Sequence, residues 1–287
     1  MQRLQTTAPA KVNLTLRVLA RRPDGHHELA SLVAFASVGD ELVLETGASL
    51  ALTVEGPMAA AAGTNEGNLV LKTAQALIAR IAGLRIGHFV LEKRLPAGAG
   101  LGGGSADAAA ALRLLARLND IALDDRRLVD AARAVGADVP ACVESRARIM
   151  HGIGDELSEP LLLPPLNAVL CFPGVAAATS AVFRAYVPTA GRRTRYSYSA
   201  IPAERVALIE FLAGETNDLE KAAISVVPAI AEAKALMEQT GRPELVRMTG
   251  SGSAIFAIHE DETKAARAAA EIRNARPGWW AVAATLN

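Results

Sequence analysis

The chain has 287 residues, of which 51% are hydrophobic and 21% charged, with 30 Lys+Arg balanced by 30 Asp+Glu. This composition excludes a disordered tail, and the length is enough for one large domain or two ordinary ones with cores of their own. The zero net charge removes the standing attraction that nucleic-acid binding needs, and aromatics are scarce at 4%.

The opening residues, Met1 to Thr7, lack the apolar run of a secretory signal. Residues 11–18 alternate. Val12, Leu14, Leu16 and Val18 fall on one side of a strand, and Lys11, Asn13, Thr15 and Arg17 fall on the other, where alternation alone predicts a solvated face. Strand patterns follow at 29–38, 41–46 and 50–54, then a loose connection or short helix at 57–63. Helical spacing runs over 68–81 through Leu69, Thr73, Ala76, Leu77 and Ile81, and Gly83 stops it. A strand at 85–93 leads to a glycine-dense loop, followed by helices at 105–118 and 125–135 and another strand at 142–150.

The stretch 160–183 carries no charge, but Pro160, Pro164, Pro165, Pro173 and Gly174 exclude a spanning helix. It reads as a loop, a buried strand at 166–172 and a turn. Then come a helix at 181–185, a polar segment with Arg192, Arg193 and Arg195, a helix at 202–212, and a helix ending near Gln239. The chain closes with strands at 245–248 and 253–258, a helix at 262–274 and a strand at 279–284. Extra helices aside, this second half is β-α-β-β-α-β, a split-βαβ layout. The expectation is an α+β protein of two domains, 1–160 and 161–287, free of membrane and cytoplasmic. Cys142 and Cys171 form no CxxC pair and read as buried free thiols.

The sharpest feature is the run Pro96-Ala97-Gly98-Ala99-Gly100-Leu101-Gly102-Gly103-Gly104-Ser105-Ala106, between a strand and a helix. Glycine lets backbone N–H groups converge, and a helix start adds unpaired donors and partial positive charge, so the run predicts a polyphosphate cradle. Ser105 adds a hydroxyl for a phosphate or a magnesium ion. Gly98, Gly100 and Gly103 also match G-x-G-x-x-G, with Asp120 about twenty residues on, the outline of a dinucleotide site. Against it, Arg94, Leu95 and Pro96 separate strand from glycines, and no Gly-Lys-Ser/Thr of a Walker motif follows.

Other polar residues have ordinary readings by themselves. Asp138, in Gly136-Ala137-Asp138-Val139-Pro140, suits a turn or cap, and Asn217-Asp218-Leu219-Glu220 suits a helix start. Thr249-Gly250-Ser251-Gly252-Ser253 suits a tight hairpin or a phosphate contact. His26, His27 and His259 supply no zinc spacing, and no metal site is expected.

Together, Ala10-Lys11-Val12-Asn13-Leu14, the glycine run and Met248-Thr249-Gly250-Ser251-Gly252-Ser253 resemble the three motifs of the GHMP small-molecule kinases, in the right order. The segments Arg22-Pro23-Asp24-Gly25-His26-His27-Glu28-Leu29, Gly136 to Pro140 and Asn217 to Glu220 are similar to the branch that acts on a cytidylylated methylerythritol. The resemblance implies the two-domain GHMP fold, its C-terminal half ferredoxin-like. It implies ATP- and Mg²⁺-dependent phosphorylation of the 2-hydroxyl of 4-diphosphocytidyl-2-C-methylerythritol, in non-mevalonate isoprenoid synthesis, by a monomer or homodimer.

By matched position it implies catalytic Asp138 with Lys11, and nucleotide binding by Asn68 and the residues from Pro96 through Ala97, Gly98, Ala99, Gly100, Leu101, Gly102, Gly103, Gly104 and Ser105 to Ala106. It implies substrate binding by Asn13, His27, Asp138, Thr179 and Phe183. His26 stands where the family usually has Tyr, and Ala141-Cys142 where an aromatic pair is common. The alternatives are a kinase of the same family for homoserine, mevalonate or a sugar, an NAD-linked oxidoreductase, and a silent nucleotide sensor.

Overall fold

The computed structural model describes residues 2–62, 67–188, 196–198 and 200–287, and the segment with Arg192, Arg193 and Arg195 lies outside the described residues. In chain order the elements are β1 (Arg3–Asn13), β2 (Arg17–Arg21), β3 (His27–Gly47), β4 (Ala51–Glu55), α1 (Leu69–Ile78), β5 (Ile86–Glu92), α2 (Gly103–Leu118), α3 (Arg126–Val135), α4 (Val139–Glu144), β6 (Arg148–Gly152) and β7 (Glu156–Leu157). There follow β8 (Leu166–Phe172), α5 (Thr179–Ala185), α6 (Arg205–Ala213), α7 (Glu220–Val226), α8 (Ala229–Gln239), β9 (Leu245–Met248), β10 (Ile255–His259), α9 (Glu262–Ala275) and β11 (Trp280–Leu286). A 3₁₀ turn occupies Ala59–Ala61.

Three expectations need correction. The polar side of residues 11–18 is not solvated: Lys11, Asn13 and Thr15 are buried along with Val12, Leu14 and Leu16. Both faces of this segment are covered, which alternation cannot reveal. The strand expected at 142–150 is instead α4 followed by β6. Proline in the first turn of α4 suits a helix start, and Ser145, at φ 50°, ends it. The helix expected to run up to Gln239 is split into α7 and α8, since Pro228 brings no N–H to continue the ladder.

Contacts gather the chain into two units, each taking several stretches. The first comprises residues up to Lys11, Val38–Ala97 and Gly102–Ser145. In it the second part of β3 pairs antiparallel with β5 (Glu41 opposite Glu92), and β4 pairs parallel with β5. Helix α2 packs against α1, α3 and α4. Its buried alanines 108–111 let these helices approach closely, and Phe89, Leu91, Leu42 and Leu44 fill the core from the strands. Helix α2 leads into α3, and both strands paired with β5, the parallel β4 and the antiparallel β3, precede it, so among the described residues no strand after α2 returns parallel beside β5 as a dinucleotide fold requires.

The second unit comprises Val12–Ser37, Gly98–Leu101 and Arg146–Asn287. The first part of β3 pairs with β2 and β6, and β6 with β7. The strands β11, β8, β10 and β9 stand in that order, all antiparallel. With α9 between β10 and β11, this is the expected split-βαβ arrangement. Helices α8 and α9 pack on these strands. Ile230, Ala233, Met237, Ala265, Ala268 and Ile272 meet Val169, Cys171, Ile255 and Ala257 in a continuous core. Among the described residues no helix is long and apolar enough to cross a membrane, and both cysteines are free and buried.

Candidate active site

In the first unit, Lys11 near the end of β1 and Asp138 just before α4 form an ion pair, Nζ to Oδ1 3.3 Å. The lysine side chain is 4% exposed and the carboxylate 41%. The ammonium therefore sits where its field is weakly screened, while the carboxylate stays open to a small molecule. Asp138 occupies the N-cap position of α4, yet its side chain makes no capping hydrogen bond. The cap role that the local sequence suggests is not the one it fills; its carboxylate faces Lys11.

The start of α2 lies against Lys11. Gly102 has φ +65°, and a Cβ there would come 3.2 Å from Lys11 Cβ and 3.4 Å from Cε, so glycine is needed for conformation and for space. No side chain caps α2, and no acid stands in its first turn. The positive dipole end and the first-turn N–H groups of Gly103, Gly104 and Ser105 are thereby left for an anion, while Ala106 N–H donates to Gly102 O at 2.9 Å. Pro96 and Ala97 belong to this unit too. Asn68 caps α1, its Oδ1 accepting from Val70 N–H at 2.9 Å. A Cβ on Gly104 would lie 3.4 Å from Leu69 Cδ1, so the starts of α1 and α2 are neighbours.

In the second unit, which includes Gly98 to Leu101, Ala99 and Gly100 lie against the turn joining β9 to β10, and a Cβ on Gly98 would come 2.9 Å from Ala176 Cβ. Gly100 has φ +83°, and a Cβ would come 2.7 Å from Gly252 O and 3.0 Å from Thr249 O. Ala254 N–H donates to Ala99 O at 2.8 Å. The same turn receives Asn13, whose N–H donates to Thr249 Oγ1 at 2.8 Å. Asn217 Nδ2 donates to Met248 O at 2.9 Å and Gly250 O at 2.8 Å. The Asn13 side chain donates to Ser31 Oγ at 2.7 Å. Several glycines of the run are thus demanded by close approach within the protein, a reason the sequence reading did not supply.

From the turn the site extends to α5. Ser251 Oγ is 2.9 Å from Thr179 Oγ1. One helical turn on, Phe183 stacks on His27, ring centroids 5.0 Å apart at 22°. Tyr186 meets His27 edge-on at 6.3 Å and 88°. The second unit therefore brings together Asn13, His27, Thr179 and Phe183, and the first brings together Lys11, Asp138, Asn68 and the start of α2. Sequence reasoning did not place Ser31 or Tyr186 in the site, and it gave Asn217 and Ser251 only as members of motif segments, the latter in a loop read as a hairpin or a phosphate contact. Tyr186 lies three residues after Phe183, the helical spacing that puts two rings on one face.

Burial, reinforced by the neighbouring Asp138 carboxylate, pushes the Cys142 thiol up to about 12, with Lys11 and Arg113 pulling the other way. Cys142 is therefore a neutral, apolar neighbour of the Lys11–Asp138 pair. Among the described residues no group of three or more His, Cys, Asp or Glu side chains is placed to hold a metal.

The model of the GHMP kinases N-terminal domain matches residues 68–146, and that of the GHMP kinases C-terminal domain matches 198–277. The 4-diphosphocytidyl-2-C-methyl-D-erythritol kinase of Azorhizobium caulinodans is 53% identical over 98% of both chains. A crystal structure of 4-(cytidine 5′-diphospho)-2C-methyl-D-erythritol kinase superposes with a TM-score of 0.79 at 38% identity, covering 99% of each chain. The homoserine kinase of Cytophaga hutchinsonii shares the fold, with a TM-score of 0.67 at 17% identity over 100% of this chain and 95% of its own. With both family models matched in order and a full-length relative above half identity, the oxidoreductase alternative falls away, and the chain belongs to the GHMP kinase family.

Proposed function

We propose that this protein phosphorylates the 2-hydroxyl of 4-diphosphocytidyl-2-C-methyl-D-erythritol, with ATP as donor and Mg²⁺ as its companion ion. The observation that carries the reading is the Lys11–Asp138 pair at 3.3 Å beside the uncapped, glycine-fronted start of α2. The names and full-length coverage of the relatives select the substrate from among those of the family.

An alcohol attacks phosphorus poorly while it keeps its proton. Asp138 takes that proton as the new bond forms, a form of assistance worth about 10²–10⁴-fold. Lys11, 3.3 Å from Asp138, orients the carboxylate and offsets negative charge on the group in transfer. The first-turn N–H groups of α2 and the hydroxyl of Ser105 fit phosphate oxygens, and Asn68 and the residues from Pro96 to Ala106 form the nucleotide's share of the site. Bound ATP·Mg²⁺ supplies the activated phosphoryl group and the charge neutralisation between its phosphates. The hydroxyl of Ser105, in the first turn of α2, is available to a phosphate oxygen or to the ion.

Asn13, His27, Thr179 and Phe183 hold the cytidine end. Stacked rings 5.0 Å apart leave no room for a base between them, so the cytosine lies on an outer face of Phe183. The family matches at 68–146 and 198–277 lie on either side of residue 160, which supports dividing the sequence there. A cytoplasmic monomer or homodimer remains our reading of the sequence.

The test is a substrate panel followed by ADP release. The cytidylylated methylerythritol should be phosphorylated, and free methylerythritol, homoserine, mevalonate and a hexose should not. Turnover of homoserine or mevalonate in preference would replace this substrate with another of the family.

A further inference from the structure

In the second unit a run of buried hydroxyl groups stands behind Asn13. Asn13 Nδ2 donates to Ser31 Oγ at 2.7 Å. Ser31 Oγ donates in turn to the main-chain oxygen of Thr15 at 2.5 Å. Thr15 is itself held on two sides: its Oγ1 accepts Leu32 N–H at 2.9 Å and lies 2.5 Å from Tyr198 Oη. The Tyr198 hydroxyl also reaches Ala30 O at 3.3 Å. Asn13, Thr15, Ser31 and Tyr198 are all buried, so water does not compete for these bonds.

Counting protons along this run fixes a direction. A hydroxyl has one proton to give, and a main-chain oxygen can only accept, so the Ser31 proton is committed to Thr15. Ser31 therefore shows Asn13 a lone pair. A carboxamide has two ends of nearly the same shape, one that donates and one that accepts. With nitrogen on Ser31 the lone pair is met; the flipped amide would set oxygen against it, a costly mismatch in a buried site. Asn13 Oδ1 is thereby turned to the other side. There it lies 3.6 Å from the place a Cβ on Gly250 would take, in the turn joining β9 to β10. The same turn carries Ser251, whose Oγ meets Thr179 Oγ1 of α5.

We propose that Ser31 is a positioning residue that locks the Asn13 carboxamide with Oδ1 toward the alcohol substrate, where that oxygen takes a hydrogen bond from one of the substrate's hydroxyl or amino groups. Ser31 itself touches no substrate and acts through Asn13. An amide oxygen carries two lone pairs, so it serves a substrate donor well, whereas a flipped amide would face that donor with N–H groups. The lock thus selects a substrate that offers a donor at this point over one that offers only lone pairs. The inference rests on the reading of Asn13 as part of the substrate pocket.

The experiment is a double-mutant cycle on kcat/KM for the cytidylylated methylerythritol, with Ser31→Ala, Asn13→Ala and the double variant, and with KM for ATP measured beside it. Ser31→Ala should lower kcat/KM by about 3–30-fold, the size expected for one misdirected hydrogen bond, and leave KM for ATP unchanged. In the Asn13→Ala background the same substitution should change kcat/KM by less than about twofold, because its only route to the substrate is gone. Losses that multiply, a Ser31→Ala enzyme with wild-type kcat/KM, or a parallel rise in KM for ATP each overturn the proposal. If a single variant does not fold, Ser31→Cys or Asn13→Leu takes its place in the cycle under the same requirement. If another alcohol of the panel is turned over instead, the substrate reading alone fails and the cycle is run on that alcohol. A folded wild type that phosphorylates no alcohol refutes the kinase reading and this inference with it.

Discussion

Gly100 offers a quantitative test of why the loop is glycine-rich. Alanine at this position incurs two costs. Its φ of +83° disfavours an L-residue by about 1–2 kcal/mol, and its Cβ would come 2.7 Å from Gly252 O, well inside van der Waals contact with backbone that cannot swing aside. Relieving such an overlap by backbone shift costs about 1–3 kcal/mol more, for a total of about 2–5 kcal/mol. Gly83 separates the two costs, since its φ is +73° but no atom lies within 4 Å of an added Cβ. Thermal unfolding of both alanine variants, at about 2 °C per kcal/mol for a chain of this size, should lower Tm by about 2–4 °C for Gly83→Ala and about 4–10 °C for Gly100→Ala. Nucleotide affinity should fall in the second variant only. Equal Tm losses would refute the reasoning that close approach to the β9–β10 turn, and not backbone conformation alone, demands glycine at position 100.

The other predictions are more direct. Phe183→Ala should raise KM for the cytidylylated substrate about 5–100-fold and leave KM for ATP unchanged in steady-state assays, as expected from loss of one stacked base; a parallel rise in both would remove Phe183 from the cytidine pocket. Lys11→Met should cut kcat by two orders of magnitude or more, and a change confined to KM would make Lys11 a binder only. Burial holds both cysteine thiols up to about 12, so at pH 8 only about 1 in 10⁴ is thiolate. A disulfide-exchange dye should therefore find no fast-reacting thiol in the native protein and two after denaturation, and a fast native thiol would contradict the burial.

The sequence disclosed the parts of this molecule whose signals are local. The strands expected at 245–248 and 253–258 and the helical spacing over 262–274 correspond closely to β9, β10 and α9, because β10 is a short apolar run buried throughout and α9 buries one face, Ala265, Ala268, Ala269 and Ile272. The glycine run announced a backbone crossing close to something. Its partners were invisible because Gly252 and Thr249 lie some 150 positions away.

Residues 11–16 misled for the opposite reason: when both faces are covered, polar and apolar residues are buried alike, and Lys11 looked like a solvated lysine. Cys142 and Val143 looked like strand residues because a two-turn helix is too short to show a period of 3.6, although Pro140 marked its start. The His27–Phe183 stack and the Thr15–Tyr198 hydrogen bond join distant segments, and no spacing rule reaches across such separations. The catalytic assignment of Lys11 and Asp138 came from matched motifs, and the structure adds their 3.3 Å separation and unequal exposure.

The most direct measurement is phosphoryl transfer from ATP to 4-diphosphocytidyl-2-C-methyl-D-erythritol by the wild type and by Asp138→Asn, read as ADP release alongside ADP binding. The wild type should turn over, and the variant should fold and bind ADP normally while kcat falls about 10²–10⁴-fold. Near-normal turnover by the variant would contradict the assignment of Asp138 as the base.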